Sequence, residues 1–209
     1  MNHIVIAIAR TFGSKGKQIG VALSESLKIP CYDNQILDMA SQQSGINEAA
    51  FYNSNEKLRY ARLKKLLVPT PRDYIVKPSS SRFISDDNLF NIQSEIIRNL
   101  ADNEGCIIMG KSAGYILKDY PNVVSVFITA PEADCVSEIA SRMKVSEQEA
   151  SSMVRRTNRY RRQYCEYYSH GEKWDSPAYY DLCINTARTG KEAAVRMIAD
   201  YARHKASGI

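Results

Sequence analysis

Arg10-Thr11-Phe12-Gly13-Ser14-Lys15-Gly16-Lys17-Gln18-Ile19-Gly20 stands between a short apolar run and a stretch of helical spacing. In such a place glycines let backbone N–H groups turn inward around phosphate oxygens, and a helix N-terminus adds positive potential. Lys17 is placed to reach the outer phosphates. A strict Walker A pattern has Gly where Thr11 stands and Ser or Thr where Gln18 stands, so only the Gly16-Lys17 core is kept. A dinucleotide fingerprint is the rival, because Asp33 follows about 20 residues on, where a ribose-binding acid sits. Against it, Gly13, Gly16 and Gly20 are spaced GxxGxxxG rather than GxGxxG, and Lys15 and Lys17 would crowd a pyrophosphate. The bland alternative is a glycine turn with incidental lysines.

Met153 to Tyr168 is the second candidate. At about 100° per residue, Arg155, Arg159 and Arg162 line one helix face and Met153, Tyr160, Tyr164 and Tyr168 the opposite one. Arginine suits phosphoryl transfer because its planar fork meets phosphate oxygens in pairs. A solvated face partly neutralised by Glu166, or a nucleic-acid surface of basic residues among tyrosines, fits the same pattern. The third candidate, Met109-Gly110-Lys111-Ser112-Ala113-Gly114, leaves an apolar strand at the edge where open α/β sheets bind ligands, and would aim Lys111 at the same crevice as Lys17. Its plain alternative is a turn with a solvated lysine.

His3, His170 and His204 are scattered and pair with no nucleophile or metal cluster. Cys31, Cys106, Cys135, Cys165 and Cys183 form no CxxC pair, so neither zinc nor a disulfide framework is expected. Trp174 reads as a packing anchor. The 209 residues carry 28 basic and 23 acidic side chains, a formal surplus of +5. That suits handling of small phosphorylated molecules and is weaker than a dedicated nucleic-acid module shows. With 44% hydrophobic and 24% charged residues, collagen-like and wholly disordered chains are excluded. The opening Met-Asn-His-Ile-Val-Ile lacks a signal peptide's apolar stretch, and no run reaches membrane-spanning length, so a cytoplasmic protein is expected.

These residues need a frame. Strands are expected at Ile4–Ala9, Ile29–Asp33, Cys106–Gly110, Val123–Thr129 and Leu182–Asn185, each short and apolar. Helical spacing follows through Ile19, Leu23 and Leu27, through Leu89, Ile92, Ile96, Ile97 and Leu100 with Asp86 or Asp87 as cap, and over Glu132–Met143 and Glu192–Ala202. Apolar strands alternating with helices imply a parallel sheet covered on both sides, the α/β class. Gly45 to Phe90 breaks the alternation with Lys57, Arg59, Arg62, Lys64, Lys65 and Arg72 and a Pro- and Ser-rich stretch, and is expected to be an inserted lobe.

Ile6 to Gly20, Ile29 to Asp33, Ile108 to Ala113, Arg159 to Tyr168, Trp174 and Tyr180 to Thr186 together resemble the cytidylate kinase-like family of P-loop nucleoside monophosphate kinases. The resemblance implies one domain over 1–209: a three-layer P-loop kinase fold with a five-stranded parallel sheet, an acceptor-binding lobe at about 45–90 and a lid at about 150–175. It implies that Gly13, Ser14, Lys15, Gly16, Lys17 and Gln18 hold the phosphates of ATP, and that Arg155, Arg159 and Arg162 close over them. Asp33, Gln93 and Lys111 fall on the side of the phosphate acceptor, Asn185 and Thr186 beside the adenine. ATP with magnesium is the implied cofactor pair, and a nucleoside monophosphate or similar small phosphate the implied acceptor. Gln18 replaces the Walker hydroxyl that usually meets magnesium. The ion is then held by donor phosphates and water, or by the glutamine amide oxygen itself. A nucleotide-binding protein without turnover and a basic RNA-binding protein are the alternatives from other classes.

Overall fold

A computed structural model describes residues 3–56, 75–80 and 82–208. Strand β1 (Val5–Arg10) alternates its side chains between two apolar layers, Val5 and Ala7 facing one and Ile6 and Ile8 the other. It is the middle of a five-stranded sheet with β2 (Cys31–Tyr32), β3 (Cys106–Met109), β4 (Val123–Thr129) and β5 (Leu182–Asn185), in the order β2-β3-β1-β4-β5. All pairs are parallel; Ile6 lies opposite Ile107 on one side and Val124 on the other. Parallel neighbours need crossovers, and helices supply them.

One layer is closed by α2 (Gln35–Ser44), α3 (Glu48–Glu56) and α4 (Asp86–Asn103), which contribute Ile36, Leu37, Phe51, Leu89, Ile96 and Ile97. The other is closed by α1 (Gly16–Leu27) and α8 (Thr186–Ala206) through Ile19, Leu23, Ala194, Ile198 and Ala202. This is the expected α/β fold with helices on both faces of a parallel sheet. A short helix, α5 (Ala113–Ile116), follows β3. Beyond β4, α6 (Glu132–Met143) and α7 (Glu147–Tyr168) pack on each other through Cys135, Ile139, Ala150 and Val154.

The strand windows and Glu132–Met143 hold to within a few residues of expectation. Two helix starts differ. Ser85, not Asp86 or Asp87, caps α4: its hydroxyl accepts from the Asn88 N–H, while the two acids sit in the first turn, where the helix dipole favours them. The last helix begins at Thr186 rather than Glu192, because the Asn185 side chain caps it by accepting from Ala187 N–H. Gly190 then interrupts its regular dihedrals at φ 72°. Of the expected inserted lobe, 45–56, 75–80 and 82–90 are described, and Lys57, Arg59, Arg62, Lys64, Lys65 and Arg72 lie outside the described residues.

A capping box, in which Ser146 and Glu149 satisfy each other's backbone N–H, starts α7. Its far end is fastened to α4 by rings. Phe90 stacks on Tyr168 with centroids 3.8 Å apart and meets Tyr164 edge-on at 6.1 Å. The Tyr168 hydroxyl donates to the Asp86 carbonyl at 3.0 Å. Tyr164 is buried and its hydroxyl has no hydrogen-bond partner, so its contribution is packing. Tyr164→Ala is therefore expected to cost about 3 kcal/mol of stability, as for other buried aromatic truncations. Tyr164→Phe should unfold within a few tenths of a molar of wild type in urea titrations; a large loss there would show that the hydroxyl matters.

Candidate active site

The helix that follows the glycine loop opens without help: Lys15 is its N-cap at φ 61° and no side chain caps it. The N–H groups of its first turn therefore point outward unmet by side chains, which is the arrangement that attracts an anion. Gly13 makes the loop possible. It sits at φ +94°, and a Cβ there would stand 2.5 Å from the Cys135 carbonyl oxygen. The loop is held from behind by Thr186, whose hydroxyl donates to the Ser14 carbonyl at 3.1 Å and the Thr129 carbonyl at 3.2 Å. The Ser14 hydroxyl, fully buried, donates to the carbonyls of Thr11 and Ile128.

Arg10 ends β1 and lies under this loop. Its Nη2 meets Asp33 Oδ1 at 3.1 Å, and the other carboxylate oxygen meets Lys17 Nζ at 3.8 Å. Gly110, at φ +74°, leaves the space that the Arg10 guanidinium fills, since a Cβ would run into Nη1. Lys111 and Ser112 follow, both at φ 56°, a left-handed pair that non-glycine residues adopt at a cost of about 1 kcal/mol each. The turn brings Lys111 to the Asp33–Arg10 pair. Burial pushes the Lys111 ammonium down to about 8; Asp33 opposes this, and Arg10 and Arg161 add to it. Arg161 is lowered in turn, by burial first and then by Arg10, and a guanidinium keeps its proton even so. Arg10 and Lys17 thus pair with Asp33, while Lys111 and Arg161 bring further positive charge within electrostatic reach of it.

Two hydrogen bonds join α7 to the loop. Arg161 Nη1 donates to the Arg10 carbonyl at 2.8 Å, and Asn158 Oδ1 accepts from the Phe12 N–H at 2.7 Å. Arg161 and Arg142 lie 5.7 and 5.8 Å from the Phe12 ring centroid. The cleft between these elements has a volume of 1310 Å³, and Arg10, Lys15, Lys17, Lys111 and Arg161 line its loop end. Tyr160, Tyr164, Trp174 and Tyr180 also line it. Trp174 is buried edge-on against Phe127 at 5.2 Å, a packing anchor as expected.

Of the residues singled out in the sequence, Gly13, Lys15, Gly16, Lys17, Gln18, Asp33 and Lys111 come together on this cleft. The three arginines expected over it do not line it. Arg155 Nε donates to Glu132 at 2.7 Å, Arg162 Nη2 to Asp175 at 2.9 Å, and Arg159 is exposed. The reason is the register of α7: its buried residues are Ala150, Val154, Tyr164 and Tyr168, and Arg161 lies seven positions from both Val154 and Tyr168, so it is the arginine carried onto the cleft side. A cation on an otherwise apolar stripe was the signal. Gln93 is buried in α4, away from the cleft wall, with Nε2 donating to the Leu89 carbonyl. Asn185 and Thr186 spend their side chains on the helix cap and on the loop carbonyls, where they position the site instead of lining it.

The family model for the cytidylate kinase-like family matches residues 5–188. The chain belongs to that family. It is similar to the crystal structure of an uncharacterized protein from Eubacterium ventriosum ATCC 27560, at 25% identity and a TM-score of 0.71 over 96% of this chain and 99% of that one. Shikimate kinase from Bacteroides thetaiotaomicron shares the fold at 9% identity, with a TM-score of 0.54 over 96% of this chain and 98% of that one. No curated protein matches the sequence. Family and fold together support a phosphotransferase of the P-loop kind.

Such kinases work with magnesium and a nucleoside triphosphate, so the fit of the residues present matters. No group of three His, Cys, Asp or Glu side chains that would hold a metal occurs among the described residues. The loop does keep one hard oxygen without a partner, Gln18 Oε1. That set fits an ion carried chiefly by phosphates and water.

A dianion entering the cage would return the Lys111 pKa toward its ordinary range, and binding above pH 8 must then take up a proton. Titration with a phosphate monoester at pH 8.5, in two buffers of different ionisation enthalpy, should show uptake of up to about three quarters of a proton. Lys111→Met should abolish it. No buffer dependence in the wild type would remove Lys111 from the anion site.

Proposed function

We propose that the protein transfers the γ-phosphoryl group of ATP to a small phosphorylated acceptor of the nucleoside monophosphate class. The observation that carries this is the gathering of Arg10, Lys17, Lys111 and Arg161 at one end of the cleft, with Asp33 paired to Arg10 and Lys17, set beside an uncapped helix N-terminus. Two anions are accommodated side by side: one on the loop and the first turn of α1, the other against Arg10 and Lys111.

In this reading the α1 N–H groups and Lys17 hold the donor's outer phosphates, while Lys111 and Arg10 hold the acceptor phosphate. A phosphate monoester is largely dianionic at neutral pH, so its oxygen attacks without a general base. The carboxylate of Asp33 is free to serve as an anchor that keeps Arg10 and Lys17 apart and extended. Arg161, fixed to the Arg10 carbonyl and lining the same cleft, is then the residue that meets the charge spreading over the transferring group. Magnesium, when bound with the donor, would offset part of the negative charge of its phosphates. The five cysteines are all free, which goes with a reducing, cytoplasmic setting. No helix among the described residues is long and apolar enough to cross a membrane.

Incubation with ATP, magnesium and a panel of nucleoside monophosphates should yield ADP and one nucleoside diphosphate in equal amounts. ATP binding without diphosphate from any acceptor would favour a nucleotide-binding protein without turnover. Arg161→Ala should lower kcat by about 10²–10³-fold, the scale of losing one donor aimed at transition-state charge. Arg159→Ala, on the exposed face, should stay within about twofold. The reverse order would restore the outer arginine face as the working one.

A further inference from the structure

Gln18 occupies the third position of α1, where a Walker A loop carries Ser or Thr. Its amide cannot turn freely. Nε2 donates to Glu138 Oε1 of α6 at 3.2 Å. The same carboxylate receives Lys15 Nζ at 3.8 Å and, within α6, Arg142 Nη1 at 4.0 Å. A carboxylate accepts and does not donate, so the amide nitrogen must face Glu138 and the amide oxygen must face the other way. That oxygen, Oε1, is buried and has no hydrogen-bond partner.

The loop's other side-chain oxygens are committed. The Ser14 hydroxyl is buried against two carbonyls, the Thr11 hydroxyl contacts Cys135 Sγ at 3.9 Å, and Asp33 holds Arg10 and Lys17. An isolated, oriented acceptor beside a phosphate loop calls for a cation or a donor, and amide oxygens are competent ligands for hard divalent ions. We infer that Gln18 Oε1 is the protein's own ligand to the divalent cation accompanying the donor phosphates, and that Glu138 is the positioning residue that turns this oxygen toward it. This rests on the assignment of the loop to the donor. The substitution of amide for hydroxyl then does not remove the metal's tie to α1. It moves that tie outward by the length of the side chain and makes it depend on a second helix.

ADP binding measured by calorimetry, with magnesium and with EDTA in its place, separates the parts. Magnesium should tighten ADP binding to the wild type, and Gln18→Leu should lose about tenfold or more of that gain while metal-free affinity stays within about twofold. Glu138→Gln lets the two amides pair in either sense, so it should lose a large part of the gain without weakening metal-free binding. A purely structural role would lower melting temperature or both affinities together and leave their ratio unchanged, which would overturn the inference. A full magnesium gain in Gln18→Leu would overturn the ligand assignment, and a full gain in Glu138→Gln the positioning role. Wild type that binds no ADP in either condition would overturn the donor assignment and this inference with it.

Discussion

The pair between Arg10 and Asp33 is the contact on which the site depends. Arg10 stands at the end of the central strand, and its guanidinium lies beneath the phosphate loop. Removing the guanidinium would leave Asp33 with Lys17 alone and empty the space above Gly110. A largely buried charge is costly to desolvate and is kept only when its partners are well placed. Burial lowers the Arg10 pKa, and Asp33 is the main influence opposing that shift. The ends of β1, β2 and β3, the start of α1 and the middle of α7 therefore share one electrostatic fastening.

That fastening leaves charge over. Asp33 answers Arg10 and in part Lys17, but Lys111 and Arg161 bring positive charge into the same space. Holding like charges close together is unfavourable, and on the proposed function an incoming phosphate offsets that cost. Cations oriented before the ligand arrives need not reorganise as the group moves, which is where electrostatic catalysis gains most. The left-handed pair at Lys111 and Ser112 is the backbone side of the same arrangement: strain tolerated because Ile8, Gly110 and Ser112 carbonyls all find their N–H partners in that turn.

Much of the frame was legible in the residues. Short β-branched and apolar runs gave five strands whose windows survive to within a few residues, because a parallel sheet buried on both faces writes itself as continuous hydrophobicity. Gly13, Gly16 and Lys17 declared the loop. Helix starts were less legible, since Ser85 and Asn185 cap from outside the periodic stretch. That Arg155, Arg159 and Arg162 do not line the cleft has a clear physical reason. Segregation of charge marks the solvent face of a helix, whereas the arginine that lines the cleft, Arg161, lies on the side of α7 that also carries the buried Val154 and Tyr168. Glu138 lay beyond reach of the sequence, because its partners Lys15 and Gln18 are about 120 residues away in the chain.

The same contrast explains how α7 relates to the loop. Its inner face is tied at two points, Asn158 to the Phe12 N–H and Arg161 to the Arg10 carbonyl, and its C-terminal end is stacked on α4 through Tyr168 and Phe90. Its outer face carries ion pairs, Arg155 with Glu132 and Arg162 with Asp175, both exposed and worth little individually. A helix fixed through its inner face cannot swing an outer arginine over the phosphates without breaking the Asn158 and Arg161 hydrogen bonds and unstacking an aromatic pair. Charge delivered by a residue that already lines the cleft avoids that rearrangement. On the proposed function, transfer takes place in a cleft whose cationic wall is present before substrate, with closure left to smaller adjustments of Lys15 and Lys17, the exposed members of the set.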